Sequence, residues 1–130
     1  MNVATIVLMT MLHLLCGLCA ESICRHHCNC SKDYTYVDCS SSGLTEVPQL
    51  IPNTVRFLNL NNNRITSIGI SSFKGLVNVR RLSLDNVSLS FIEKGSFHVL
   101  RQTLYTLSLS QNKLKKLEWV YLIPYFVSSI

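Results

Sequence analysis

The chain has 130 residues, which is room for one domain and not two. Its apolar content of 48% is inflated by the first twenty residues. Its net charge of +5 lies wholly in residues 21–130, because positions 1–20 hold no Lys, Arg, Asp or Glu. That moderately basic balance permits an anionic partner (a sulfated glycan, nucleic acid or an acidic protein) without demanding one.

The first stretch, "NVATIVLMTMLHLLCGLCA", is apolar from Val3 to Cys19 and ends in the small residues Gly17, Cys19 and Ala20 before turning polar at Glu21. It reads as a secretory signal peptide over residues 1–20, cleaved near Cys19 or Ala20, with the amino terminus supplying the only positive charge. An uncleaved signal anchor is the alternative. The run is at the short end for a membrane span, which needs about 20 residues.

Four cysteines remain, Cys24, Cys28, Cys30 and Cys39, all within "CRHHCNCSKDYTYVDC". An even, clustered count in an exported chain reads as two disulfides, and the sequence by itself allows three pairings. A zinc site with His26 and His27 is the rival reading, but it lacks the paired C-x2-C knuckles such sites show. The same stretch carries the sequon Asn29-Cys30-Ser31, set between cysteines; a second sequon is Asn86-Val87-Ser88. Of the two glycosylation candidates, Asn86 is the better exposed and Asn29 the more constrained. "YTYVDCS" alternates like an edge strand. "GLTEVP", with Leu44 and Val47, is a partial repeat ended by Pro48. Residues 21–53 thus read as a cysteine-rich N-terminal segment with a partial repeat.

From residue 54 the chain repeats itself. Val55/Leu58/Leu60/Asn63/Ile65 aligns with Val79/Leu82/Leu84/Val87/Leu89 and with Leu104/Leu107/Leu109/Asn112/Leu114. Leu58 to Leu82 is a step of 24 residues, Leu82 to Leu107 a step of 25, and Phe73 to Phe97 again 24. Periodicity of this kind is the signature of leucine-rich repeats, so residues 54–130 read as three of them without a C-terminal cap. In each copy the L-x-L core is a short strand whose leucines point inward, and Asn63 and Asn112 sit inside the following turn, bonding backbone groups the bend leaves unpaired. Phe73 and Phe97 fill the returning convex side. Val87 cannot make the asparagine's hydrogen bonds, so the second turn is expected to be locally irregular rather than a tuned binding feature.

The alternation also defines a candidate ligand-binding face. The residues between and around the inward leucines are Arg56, Phe57, Asn59 and Asn61; then Arg80, Arg81, Ser83 and Asp85; then Tyr105, Thr106, Ser108 and Ser110. Strands about 4.8 Å apart put Phe57, Arg81 and Thr106 in one row and Asn59, Ser83 and Ser108 in another. Exposed Phe, Tyr and Arg are the types that dominate protein interfaces; an ordinary solvated sheet face is the plainer reading. Lys113, Lys115 and Lys116 read as polar turn positions.

Catalysis finds no support. The sequence holds no Gly-rich phosphate loop, no metal-spaced His/Asp/Glu set and no nucleophile elbow, and His98 reads as packed or solvated. No cofactor and no sequence-specific nucleic-acid recognition are implied. The final "EWVYLIPYFVSSI" is too short to span a bilayer, so no transmembrane segment is expected after the signal. An open last repeat implies either a piece or splice form of a longer protein, or dimerisation through that end.

The spacing C-x3-C-x-C-x8-C followed by "SSSGLTEVPQLIPNTVRFLNLNNNRI" resembles the N-terminal cap of extracellular leucine-rich-repeat proteins. Within that group, "VDCSSSGLTEVPQLIPNTVRFLNLNNNRITSI", "FKGLVNVRRLSL" and "LSLSQNKL" look most like the start of a Toll-like receptor ectodomain. The resemblance covers residues 24 to about 122. It implies the pairings Cys24–Cys30 and Cys28–Cys39, each able to add roughly 2–4 kcal/mol, and an α/β solenoid: a horseshoe fragment with short parallel strands on its concave face. It implies an extracellular module binding a protein or other ligand non-covalently, of the kind used in innate immunity. The alternatives are a small matrix-associated repeat protein binding collagen or glycosaminoglycan, and a truncated chain with no independent function. No TIR signalling domain accompanies the resemblance, so signalling by this chain is not implied.

Overall fold

The structure, a computed structural model, describes residues 2–8 and 23–115. The signal-cleavage region and the C-terminal stretch with Lys116 and Leu122 lie outside the described residues; residues 3–8 are helical and exposed. Among the described residues no helix is long and apolar enough to cross a membrane.

The cap opens with a helical turn over residues 23–26 that buries Ile23. Both disulfides close as the resemblance implied, Cys24–Cys30 and Cys28–Cys39. With all four thiols bonded, the zinc reading is overturned, and His26 and His27 stand exposed. Strand β1 (Asn29–Cys30) then pairs antiparallel with β2 (Tyr36–Asp38). Asp33 fixes the intervening turn, accepting hydrogen bonds from Ser31 Oγ at 2.6 Å and from the Thr35 amide at 3.2 Å. Those bonds, the Ser31 hydroxyl's first, hold its carboxyl below the usual carboxylate range.

Strands β3 (Phe57–Asn59), β5 (Arg81–Ser83) and β7 (Thr106–Ser108) stack in parallel on β2, giving one five-stranded sheet in the order β1-β2-β3-β5-β7. The register is that expected from the leucine spacing: Val37, Leu58, Leu82 and Leu107 lie side by side. All four are buried, and period-2 alternation turns their neighbours outward. No single coil can enclose its own leucines, so burial comes from the coil above and below.

The convex side departs from the α/β expectation. Among the described residues it carries turns, the 3-10 turn His98–Leu100, and a second parallel pair, β4 (Ser67–Ile68) with β6 (Phe91–Ile92). The physical reason is length: a 24-residue coil that spends its first half on strand and turn leaves too little chain for a stable helix. Gly75, at φ +82°, bends the return arm where a side chain would be strained. Phe73 and Phe97 fill the interior of this side, ring centroids 5.3 Å apart, as their spacing suggested. His98 is exposed.

Candidate functional site

The turn asparagines come first, because they hold the sheet that presents the face. Asn63 is 6% exposed. Its Nδ2 donates to the carbonyls of Cys39 (2.9 Å), Leu60 (2.7 Å) and Asn61 (3.3 Å), and its Oδ1 accepts from the amides of Ser42 and Leu44, both at 3.0 Å. Asn112 repeats the pattern with the carbonyls of Leu84, Leu109 and Ser110 and the amides of Val87 and Leu89. Each asparagine therefore serves two coils, its own and the preceding one. The four structurally equivalent carbonyls, Cys39, Leu60, Leu84 and Leu109, are taken two by two, and Val87 falls at the position where no further donor is needed for them. Val87 instead fills the interior completely. Its turn is irregular as expected. Asn86 and Ser88 on either side are both left-handed, at φ 53° and 62°, the pattern of Ser41 and Gly43 in the other turn without an asparagine, whereas the turns that hold Asn63 and Asn112 have one such residue each, Asn62 and Gln111.

The twelve concave-face candidates separate into two groups. Toward the strands' C-terminal ends the polar residues are engaged with one another. Asn61 Oδ1 accepts from Ser83 Oγ (2.8 Å) and the Asp85 amide (2.7 Å); Asp85 Oδ1, one coil on, accepts from Ser108 Oγ (2.6 Å) and the Ser110 amide (2.7 Å). Asn59 Oδ1 accepts from the amide of Asn61 at 3.0 Å. Asn61, Ser83, Asp85, Ser108 and Ser110 form a ladder between coils, with Asn59 bracing Asn61 within its own coil, a role the sequence reading did not give them.

Toward the N-terminal ends the face is aromatic and cationic. Register aligns Tyr36, Phe57, Arg81 and Thr106. The Arg81 guanidinium carbon lies 5.4 Å from the Phe57 ring centroid, and Tyr36 lies 6.5 Å from Phe57 on the other side. Arg56, Arg80 and Tyr105, one residue earlier in each coil, are exposed, Tyr105 at 66%. Tyr36 is 46% exposed and belongs to this row, although the sequence reading assigned it to the cap; its place in "YTYVDC", one residue before inward Val37, was the signal that would have found it. The two rows contain no Asp or Glu. A guanidinium over an aromatic face at a solvent-exposed site is worth roughly 0.5–1 kcal/mol.

A polar hollow of about 380 Å³ lies in the cap, lined by Arg25, His26, His27, Asn29 and Asp38 among others. Among the described residues no group of three or more His, Cys, Asp or Glu is placed to hold a metal ion. Asn29 lies on β1 at the edge of that hollow, and Asn86 on the exposed rim, its Nδ2 donating to Asn62 Oδ1 at 3.0 Å.

Comparison with known proteins agrees with this geometry. Residues 53–114 match the leucine rich repeat family model. Human leucine-rich repeat-containing protein 3B is 36% identical over 97 residues, 74% of this chain and 38% of that protein. Leucine-rich repeat-containing protein 3 of Danio rerio is 32% identical over 107 residues, 81% of this chain and 40% of that protein. The chain thus spans about two fifths of the length of these relatives. Among solved structures, human 5T4 (Wnt-activated inhibitory factor 1, trophoblast glycoprotein) superposes with a TM-score of 0.61 at 32% identity, covering 67% of this chain and 32% of that one. The chain is a leucine-rich-repeat protein with a solenoid fold and a disulfide-bonded N-terminal region.

Proposed function

We propose that the chain is an extracellular recognition module that binds a protein partner non-covalently through the N-terminal half of its concave sheet. The observation that carries this reading is the row Tyr36–Phe57–Arg81, an aromatic–aromatic–cation surface whose side chains are not spent on the inter-coil ladder. Two closed disulfides favour an oxidising compartment. The likeness of the cap and first repeat to Toll-like receptor ectodomains favours a receptor-type or soluble recognition role in innate immunity. A matrix role is the second reading, favoured by Arg56, Arg80 and Arg81 projecting from adjacent coils with no carboxylate in their rows.

One experiment separates them. The secreted protein is screened against arrayed extracellular ectodomains and, in parallel, run on immobilised heparin. Arg81→Glu is expected to weaken a protein partner at least tenfold, about 1.4 kcal/mol, while thermal stability stays close to wild type. Retention on heparin that falls steeply with salt and vanishes in the triple Arg56/Arg80/Arg81→Glu variant, with no ectodomain bound, would instead establish the matrix reading. An ectodomain bound equally well by Arg81→Glu would sink the proposed face.

A further inference from the structure

We infer that Asn86 carries an N-linked glycan and that Asn29 does not, a modification that rests on the export reading above. Asn86 occupies the rim position shared by Ser41, Asn62 and Gln111, where a left-handed backbone turns each side chain out of the solenoid, and all four residues are exposed. Its side chain donates one N–H to Asn62 Oδ1 at 3.0 Å. N-glycosylation leaves Nδ2 one N–H, enough for a single bond of this kind. Val87, the middle residue of the sequon, is fully buried, which anchors the turn while its neighbours face out. The sequon hydroxyl, Ser88, sits in the second left-handed position of the irregular turn.

Asn29 meets the opposite circumstances. Its neighbours Cys28 and Cys30 are both bridged, to Cys39 and Cys24. Its backbone is paired antiparallel to Asp38. The bridges close spans of only 6 and 11 residues, so in an oxidising lumen the sequon is pinned as soon as Cys39 enters.

The reaction needs a sugar donor, an oligosaccharide on a polyprenyl diphosphate. Nδ2 of Asn86 attacks C1 of the first sugar. The C1–N bond forms, the C1–O bond to the diphosphate breaks, the lipid diphosphate departs with the bonding pair, and one amide proton passes to a base of the transferase. No change of oxidation state is involved. The product places a solvated oligosaccharide on the rim beyond the Asn61–Asp85 ladder, so a partner is admitted from the Arg56 and Arg80 side of the sheet.

The test is translation of the full chain with endoplasmic-reticulum microsomes, scored by gel mobility, peptide-N-glycosidase sensitivity and protection from added protease. The expected product is protected and carries one glycan. That glycan persists in Asn29→Gln and is lost both in Asn86→Gln and in Ser88→Ala, which keeps the asparagine. A protected chain without a glycan, a shift that survives Asn86→Gln, or a second glycan lost in Asn29→Gln overturns the inference alone. A chain that stays protease-sensitive overturns the export reading with it.

Discussion

Asn63→Leu is expected to lower stability by about 3–5 kcal/mol, a large share of the 5–15 kcal/mol available to a small domain. The substitution preserves bulk and adds apolar surface, so any loss comes from hydrogen bonds. It strands the carbonyls of Cys39 and Leu60 and the amides of Ser42 and Leu44, while the Asn61 carbonyl keeps its bond from the Ser41 amide. A buried backbone group left without a partner costs about 1–3 kcal/mol, and partial access of water to Ser42 keeps the total below the simple sum. Urea unfolding with an unchanged slope and a lower midpoint is the measurement. The companion variant is Val87→Asn, which should supply no missing clasp and should itself cost about 1–3 kcal/mol. The two carbonyls its amide would seek, Leu60 and Leu84, already accept from Asn63 and Asn112, while the new side chain forfeits the full burial of Val87. A Val87→Asn variant more stable than wild type would refute the pairwise sharing of asparagines.

Removing the Cys28–Cys39 bridge by double alanine substitution is expected to cost about 2–5 kcal/mol and to reduce the yield of secreted protein sharply. Both sulfurs lie in the core cluster, Cys39 with no exposure at all, so the loss combines a freer unfolded chain with two small apolar vacancies. The bridge also ties β1 to the edge of β2. Without it the unpaired strand edge of the first coil is exposed, and concentration-dependent aggregation should follow. The readouts are thermal midpoint and light scattering of the purified variant beside wild type. A variant that is secreted normally and melts within a few degrees of wild type would show that the cap holds without this bridge.

Much of this architecture was legible beforehand because it rests on short periods. The inward leucines, the rows Phe57–Arg81–Thr106 and Asn59–Ser83–Ser108, and the role of Asn63 all follow from alternation along a strand and repetition between strands. The ladder from Asn61 to Ser83 and from Asp85 to Ser108 was not legible, because it depends on the offset with which one coil sits on the next, and the residue types there would serve a ligand equally well. The pair β4–β6 escaped notice for a related reason: two residues of strand, Ser67–Ile68 and Phe91–Ile92, are too short to display a period. Val87 was recognised as anomalous, but the remedy lies on its neighbours, Asn63 before it and Asn112 after it, and no reading confined to one repeat locates it there.

The asparagine pattern has a mechanical corollary. Asn63 clasps the cap strand to the first coil and Asn112 clasps the second coil to the third, so the solenoid is two clasped pairs. The seam between them, where Leu60 meets Leu84, is crossed by the strand ladder, by Asn61 and by the Asn62–Asn86 bond, but by no asparagine clasp. In a stack whose strength is set by nearest neighbours, that joint is where the spring gives first. Amide protons that bridge it, those of Leu60 and Asn62, should exchange sooner than their counterparts Leu84 and Asn86 one joint along. Bending at this joint would open or narrow the concave surface between Phe57 and Arg81, which straddle it.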